Sequence, residues 1–108
     1  MNIHALAHIT GGGVLGNVSR VIPLGLCAQL DVRHLKIPTI FSYLMQHGPV
    51  DLQEMFQTFN MGIGMVAIIE SEHKNLALST LREYNKTAYE IGEITLSKES
   101  ERCTIKMS

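Results

Sequence analysis

The run His8-Ile9-Thr10-Gly11-Gly12-Gly13, followed by Asn17 and Arg20, brings together residue types suited to holding an anion. A β-rich approach breaks into three glycines, and an apolar stretch with helical spacing follows at once. Without a Cβ, glycine lets the backbone bend sharply and come close to a ligand. The first N–H groups of a helix have no intrahelical partner, and that end carries partial positive charge. Strand, glycines and helix start therefore form a cradle of the kind that takes phosphate. Arg20, about two turns on, can add a guanidinium to the same anion. A tight strand-to-helix turn with no ligand explains the glycines equally well. The pattern is not a P-loop, since no Lys-Ser or Lys-Thr follows the glycines, and its spacing is not the dinucleotide fingerprint.

His8 can bond a ligand, move a proton, or be a satisfied structural histidine. Thr10 can cap the following helix or bind phosphate. Asn17 and Arg20, three apart, share one helix face.

Around this motif the hydrophobic periodicity predicts a strand over 3–10, a helix over 13–22 and a strand over 26–32. Ile37, Ile40, Phe41 and Leu44 follow helical spacing, with Pro38 in the first turn and Gly48-Pro49 as the stop. Asp51 and Glu54 form a capping-box-like pair opening a further helix. The uncharged run 63–69 reads as a central strand buried on both faces. A helix over 72–86 is expected to turn Ala77, Leu78, Leu81 and Tyr84 inward, and strands follow over 89–96 and 103–107. Lys98 to Arg102 read as a solvated turn, and Met45, Met55, Met61 and Met65 as core. The order β-α-β-α-α-β-α-β-β implies an α/β (α+β) domain, a mixed sheet with helices packed on it. Its glycine turns are expected to converge at one face.

Composition bounds the partners. The chain has 108 residues, enough for one domain, and 45% of them are hydrophobic, which argues against disorder. Nine basic residues against ten acidic ones leave no footprint for nucleic acid. No apolar run approaches membrane-spanning length, and no secretory signal opens the chain. Cys27 and Cys103 belong to no CxxC pair, which favours two reduced thiols and a cytoplasmic protein. Asp31 and Asp51 are isolated, so no magnesium-type acidic cluster is evident and no metal site is expected.

A second glycine motif, Thr58-Phe59-Asn60-Met61-Gly62-Ile63-Gly64-Met65, narrows the reading. Its Asn60, Gly62 and Gly64 are expected chiefly to turn the chain, with Gly64 admitting close backbone packing. Taken with Ala5 to Gly13, Asn17 to Pro23, Pro38-Thr39-Ile40-Phe41, Gly48-Pro49-Val50, Glu54-Met55 and Ile91-Gly92-Glu93, it resembles the C-terminal part of phosphoribosylformylglycinamidine cyclo-ligases, the aminoimidazole ribonucleotide synthetase family. The resemblance covers nearly the whole chain. Three positions depart from it: Gly16 stands where a glutamate is common, Ser19 where a proline is usual, and Leu35 where a tryptophan is frequent. Thiamine monophosphate kinase and selenophosphate synthetase share the two-domain architecture, and the Thr58 to Met65 run favours the cyclo-ligase over them.

The resemblance implies one partial C-terminal domain over residues 1–108, without the first domain that supplies most of the ATP and metal site. It implies a step of purine biosynthesis in which ATP activates the formyl oxygen of formylglycinamidine ribonucleotide and an internal amine closes the imidazole ring. ATP and Mg²⁺ would serve the complete enzyme, and neither is expected on this chain alone. The implied substrate-phosphate site is His8, Thr10, Gly11, Gly12, Gly13, Asn17 and Arg20, with the catalytic residues unassigned. A domain of this kind is expected to self-associate or to bind the missing N-terminal part. A non-catalytic phosphate- or nucleotide-binding or interaction module is the alternative.

Overall fold

In the computed structural model, residues 3–48, 50–98 and 100–107 are described. Strand β1 (Ile3–His8) leads into α1 (Gly13–Arg20) and β2 (Leu26–Asp31). Two short helices follow, α2 (Thr39–His47) and α3 (Leu52–Thr58). Then come β3 (Met65–Ile69), a 3₁₀ turn (Ser71–His73), α4 (Lys74–Glu83), β4 (Gly92–Leu96) and β5 (Cys103–Lys106). The order matches the expected one, and helices packed with mixed sheets give the α+β class. The strands divide into two sheets, however. β1 and β3 form an antiparallel pair, while β2 lies between antiparallel β4 and parallel β5.

Both sheets and two helices share one core. Ala7 of β1 and Ile9 just after it meet Val14 and Val18 of α1, Ala28 and Leu30 of β2, Met55 and Phe56 of α3, and Val66 of β3. Val14 and Val18 lie one turn apart, so α1 turns a single apolar stripe to this core. The opening of α3 follows the expected chemistry: the Asp51 carboxylate accepts the Glu54 backbone N–H at 2.9 Å. Pro38 sits just before α2 with φ −55°. Of the Gly48-Pro49 stop, Gly48 donates its N–H to the Leu44 carbonyl, and Pro49 lies outside the described residues, as does Glu99 of the charged turn.

Three burial expectations are corrected. β3 is not a central strand buried on both faces: among the described residues it pairs with β1 alone, and Met65 and Ala67 are exposed while Val66 is buried. A second covering layer is what an unbroken apolar run needs, and the described elements provide only one. Met65 is accordingly on the surface, whereas Met55 and Met61 are core and Met45 is half-buried. Helix α4 buries none of its residues; Ala77 and Leu78 are half-buried, and Leu81 and Tyr84 are exposed. The helix is also shorter than its periodicity suggested, because the chain enters through the 3₁₀ turn and leaves through Asn85 at φ 59°.

Cys27 and Cys103 are buried free thiols. Cys103 pairs with Ala28 across β2 and β5, so Cys27 faces the other side of the sheet. Burial, with a smaller contribution from Cys27, pushes the Cys103 thiol up to about 12. The folded state thus favours the neutral thiol. Its contribution to stability is present below the unfolded thiol range near 8.5 and is lost as pH rises toward about 12. We expect an alkaline fall in melting temperature between those limits that a Cys103→Ala variant shows less steeply. An equally steep fall in the variant would contradict this.

Candidate anion site

β1 ends at His8, and the chain turns through Thr10–Gly13 into α1. The Gly13 N–H closes that turn on the Thr10 carbonyl at 3.1 Å. Gly12, at φ 100°, is the N-cap of α1, and Gly13, at φ 70°, is its first residue. Both lie in the left-handed region that glycine enters without steric cost. Gly13 has a second constraint: a Cβ there would collide with the Phe56 carbonyl oxygen and stand 2.6 Å from the Gln57 carbonyl carbon. The third glycine is therefore required by the close approach of α1 to α3. Gly11 differs, being exposed, with no atom within 4 Å of the place its Cβ would occupy.

Asn17 is the hub of the turn, and only 5% of it is exposed. Its Nδ2 donates to the Gly13 carbonyl at 2.7 Å and to the Thr10 carbonyl at 3.2 Å. Its Oδ1 accepts from the Thr10 hydroxyl at 3.2 Å and from Arg20 Nη1 at 3.4 Å. The other end of the Arg20 guanidinium, Nη2, lies 3.9 Å from the place of a Cβ on Gly12. Arg20 thus folds back along the exposed glycines, over the end of α1 where the helix dipole is positive. Of the two roles open to Thr10, that of a cap on α1 is not taken. No side chain caps this helix, and the Thr10 hydroxyl is turned to Asn17 instead.

Thr10, Gly11, Gly12, Gly13, Asn17 and Arg20 are therefore one cluster. His8 is exposed at the end of β1, cross-strand from Met65, and its side chain makes no hydrogen bond among the described residues. The second glycine motif converges on the same end, as expected, since the Ile9 N–H donates to the Gly64 carbonyl at 3.0 Å. Asn60 accepts the Gly62 N–H at 2.9 Å, and Gly62, at φ 87°, lies against the Pro38 ring. Gly64 faces open space, so the expected close packing belongs to Gly62.

Sequence reasoning missed two features. Phe56 and Gln57 supply the backbone that demands Gly13, and a nonlocal contact of that kind leaves no local pattern. Arg102, read as part of a solvated turn, shares with Arg20, Ser19 and Gln57 the lining of a groove of about 660 Å³ between α1, α3 and β5. Asp31, in contrast, is taken up by Arg33, whose bidentate hydrogen bonds hold its carboxyl well below the usual range. Among the described residues no group of three or more His, Cys, Asp or Glu could hold a metal ion, and no helix is long and apolar enough to cross a membrane.

The family described as AIR synthase related protein, C-terminal domain, matches residues 1–103. The chain is 46% identical over 92 residues to a phosphoribosylformylglycinamidine cyclo-ligase of Chromobacterium violaceum, a match covering 85% of this chain and 27% of that protein. It is 43% identical over 106 residues to the protein of that name from Coxiella burnetii, covering 97% of this chain and 30% of the relative. A bifunctional purine biosynthetic protein PUR2,5 of Pichia angusta is 42% identical over 106 residues, covering 98% of this chain and 13% of its own length. The chain spans less than a third of the length of each of these relatives.

Proposed function

This chain belongs to the AIR synthase related family as its C-terminal domain, and on that premise we propose that it supplies the substrate-phosphate grip of an ATP-dependent cyclo-ligase of purine biosynthesis. In this reading the substrate is formylglycinamidine ribonucleotide and the product is aminoimidazole ribonucleotide. The observation that carries it is the Asn17-centred cluster, which holds Arg20 along an open glycine turn at a helix N-terminus.

Each residue has a distinct part. The exposed backbone of Gly11 and Gly12 lets phosphate oxygens approach α1, as backbone amides at a helix start do in other phosphate sites. Arg20 adds a charge-assisted donor. Both Asn17 N–H groups are already used within the turn, so Asn17 positions Thr10 and Arg20 rather than touching the ligand. We keep His8, two residues before Thr10 on the strand that leads into the turn, for the sugar side of a bound ribonucleotide. In the complete enzyme ATP with Mg²⁺ would supply the activation of the formyl oxygen. Among the described residues no group of three or more His, Cys, Asp or Glu is gathered for that cation, and we assign ATP and Mg²⁺ to the preceding domain of the complete enzyme.

The test is a full-length cyclo-ligase carrying this chain in place of its own matching segment. Removing one charged hydrogen-bond partner costs about 1.5–3 kcal/mol. Arg20→Ala should therefore raise KM for the ribonucleotide roughly 10- to 100-fold and leave KM for ATP within about twofold. A change confined to the KM for ATP would contradict the assignment.

A further inference from the structure

Arg20 borders two features of the surface. One is the glycine turn, along which its guanidinium folds, and the other is the groove of about 660 Å³ between α1, α3 and β5. Arg102 lines the same groove from the segment that leads into β5. The backbone there is held in place: the Arg102 carbonyl accepts the Ala28 N–H at 2.8 Å, and the next residue, Cys103, pairs with Ala28 across β2. The Arg102 side chain itself is exposed. Among the described residues neither guanidinium pairs with a carboxylate, whereas Arg33 is taken up by Asp31. Two guanidiniums at one groove repel each other, and an anion between them replaces that repulsion with attraction.

The rest of the lining selects the kind of anion. Ser19, Gln53, Gln57 and Thr104 bring neutral hydrogen-bonding groups. Among the described residues Glu101 brings the one carboxylate, which the two guanidiniums outweigh, and the one aromatic ring, Phe56, is only 1% exposed. No ring face is therefore open for a base to stack on. The volume is that of a small-molecule site. We infer that the groove is a second anion subsite, continuous with the glycine turn through Arg20, and that it takes a compact ligand with two phosphoryl groups and no recognised base. One phosphoryl group sits on the turn and Arg20. The other sits on Arg102, whose planar fork suits two phosphate oxygens at once. The first contact rests on the phosphate reading of the turn given above, and the second does not.

Inorganic pyrophosphate is the probe and inorganic phosphate its comparison, each titrated at constant ionic strength into the ¹⁵N-labelled chain. Pyrophosphate should bind at least tenfold tighter than phosphate, about what one charged hydrogen bond is worth. It should also shift the amides of Gln57, Arg102 and Cys103, which phosphate leaves in place. Arg102→Ala should remove the preference and those shifts while phosphate still moves Thr10 to Gly13. Arg82→Ala takes the same charge from the exposed end of α4 and should keep the preference intact. Equal affinities for the two anions in the parent, a preference retained in Arg102→Ala, or one lost in both variants would overturn the inference. Adenosine diphosphate, which adds a nucleoside to the same two phosphoryl groups, should bind no tighter than pyrophosphate, and tighter binding would overturn the base-free assignment. The two readings fail separately. Groove shifts that Arg102→Ala removes, without any phosphate shift at the turn, would keep the groove and refute the turn; phosphate shifts at the turn without a pyrophosphate response at Arg102 would do the reverse.

Discussion

Gly13→Ala is expected to destabilise the fold by more than about 4 kcal/mol. The new methyl group would occupy the space of the Phe56 carbonyl oxygen, with the Gln57 carbonyl oxygen 2.8 Å away. These are backbone atoms of α3, so no rotamer change relieves the overlap. The residue also sits at φ 70°, where a Cβ adds about 1–2 kcal/mol. Parting α1 from α3 would open the packing of Val14 and Val18 on Met55 and Phe56, all four fully buried or nearly so. Together these place the change among the rare substitutions costing more than about 4 kcal/mol. That is a large share of the roughly 5–15 kcal/mol that holds a domain folded. Thermal unfolding followed by circular dichroism should show a fall of at least about 15 °C. The neighbouring Gly11→Ala meets no atom within 4 Å and should shift the midpoint by no more than a few degrees. Similar midpoints for the two variants would refute the α1–α3 contact.

Asn17 gives the second large effect, and here the substituents separate stability from binding. Asn17→Ala leaves the Thr10 carbonyl and hydroxyl and the Gly13 carbonyl without their side-chain partner in a buried spot. A cost of about 2–3 kcal/mol follows. Asn17→Asp keeps the size but puts a carboxylate beside Arg20, where an amide oxygen stands 3.4 Å from Nη1. Arg20 then pairs internally, and the new charge repels an incoming anion. Phosphate affinity should drop at least tenfold in Asn17→Asp although Arg20 and all three glycines are intact. Unchanged affinity in that variant would remove Asn17 from its positioning role.

What the sequence made legible follows from what is local. The nine elements and their order came from periods of two and 3.6, from the Asp51 cap and from the glycine breaks, each encoded within a few residues. The Asn17–Arg20 pairing was legible for the same reason, since three residues apart on a helix means one face. Coverage was not legible. The apolar run of β3 and the leucines of α4 announce a need for burial, but which layer meets that need depends on distant chain. The division into two sheets likewise depends on pairings such as Ala7 with Val66 and Ala28 with Cys103, which no local pattern encodes. The hub role of Asn17 escaped the sequence because an asparagine on a helix face gives no sign of whether that face is open. The structure turns it inward and leaves Arg20 outside.

Phosphate binding at the glycine turn is the claim on which the functional reading depends, and a titration of the ¹⁵N-labelled chain with inorganic phosphate at constant ionic strength tests it directly. The account predicts saturable amide shifts at Thr10, Gly11, Gly12 and Gly13 and at the Arg20 side chain, all lost in Arg20→Ala. Shifts confined to residues outside 8–20, or shifts at the turn that persist unchanged in Arg20→Ala, would contradict it.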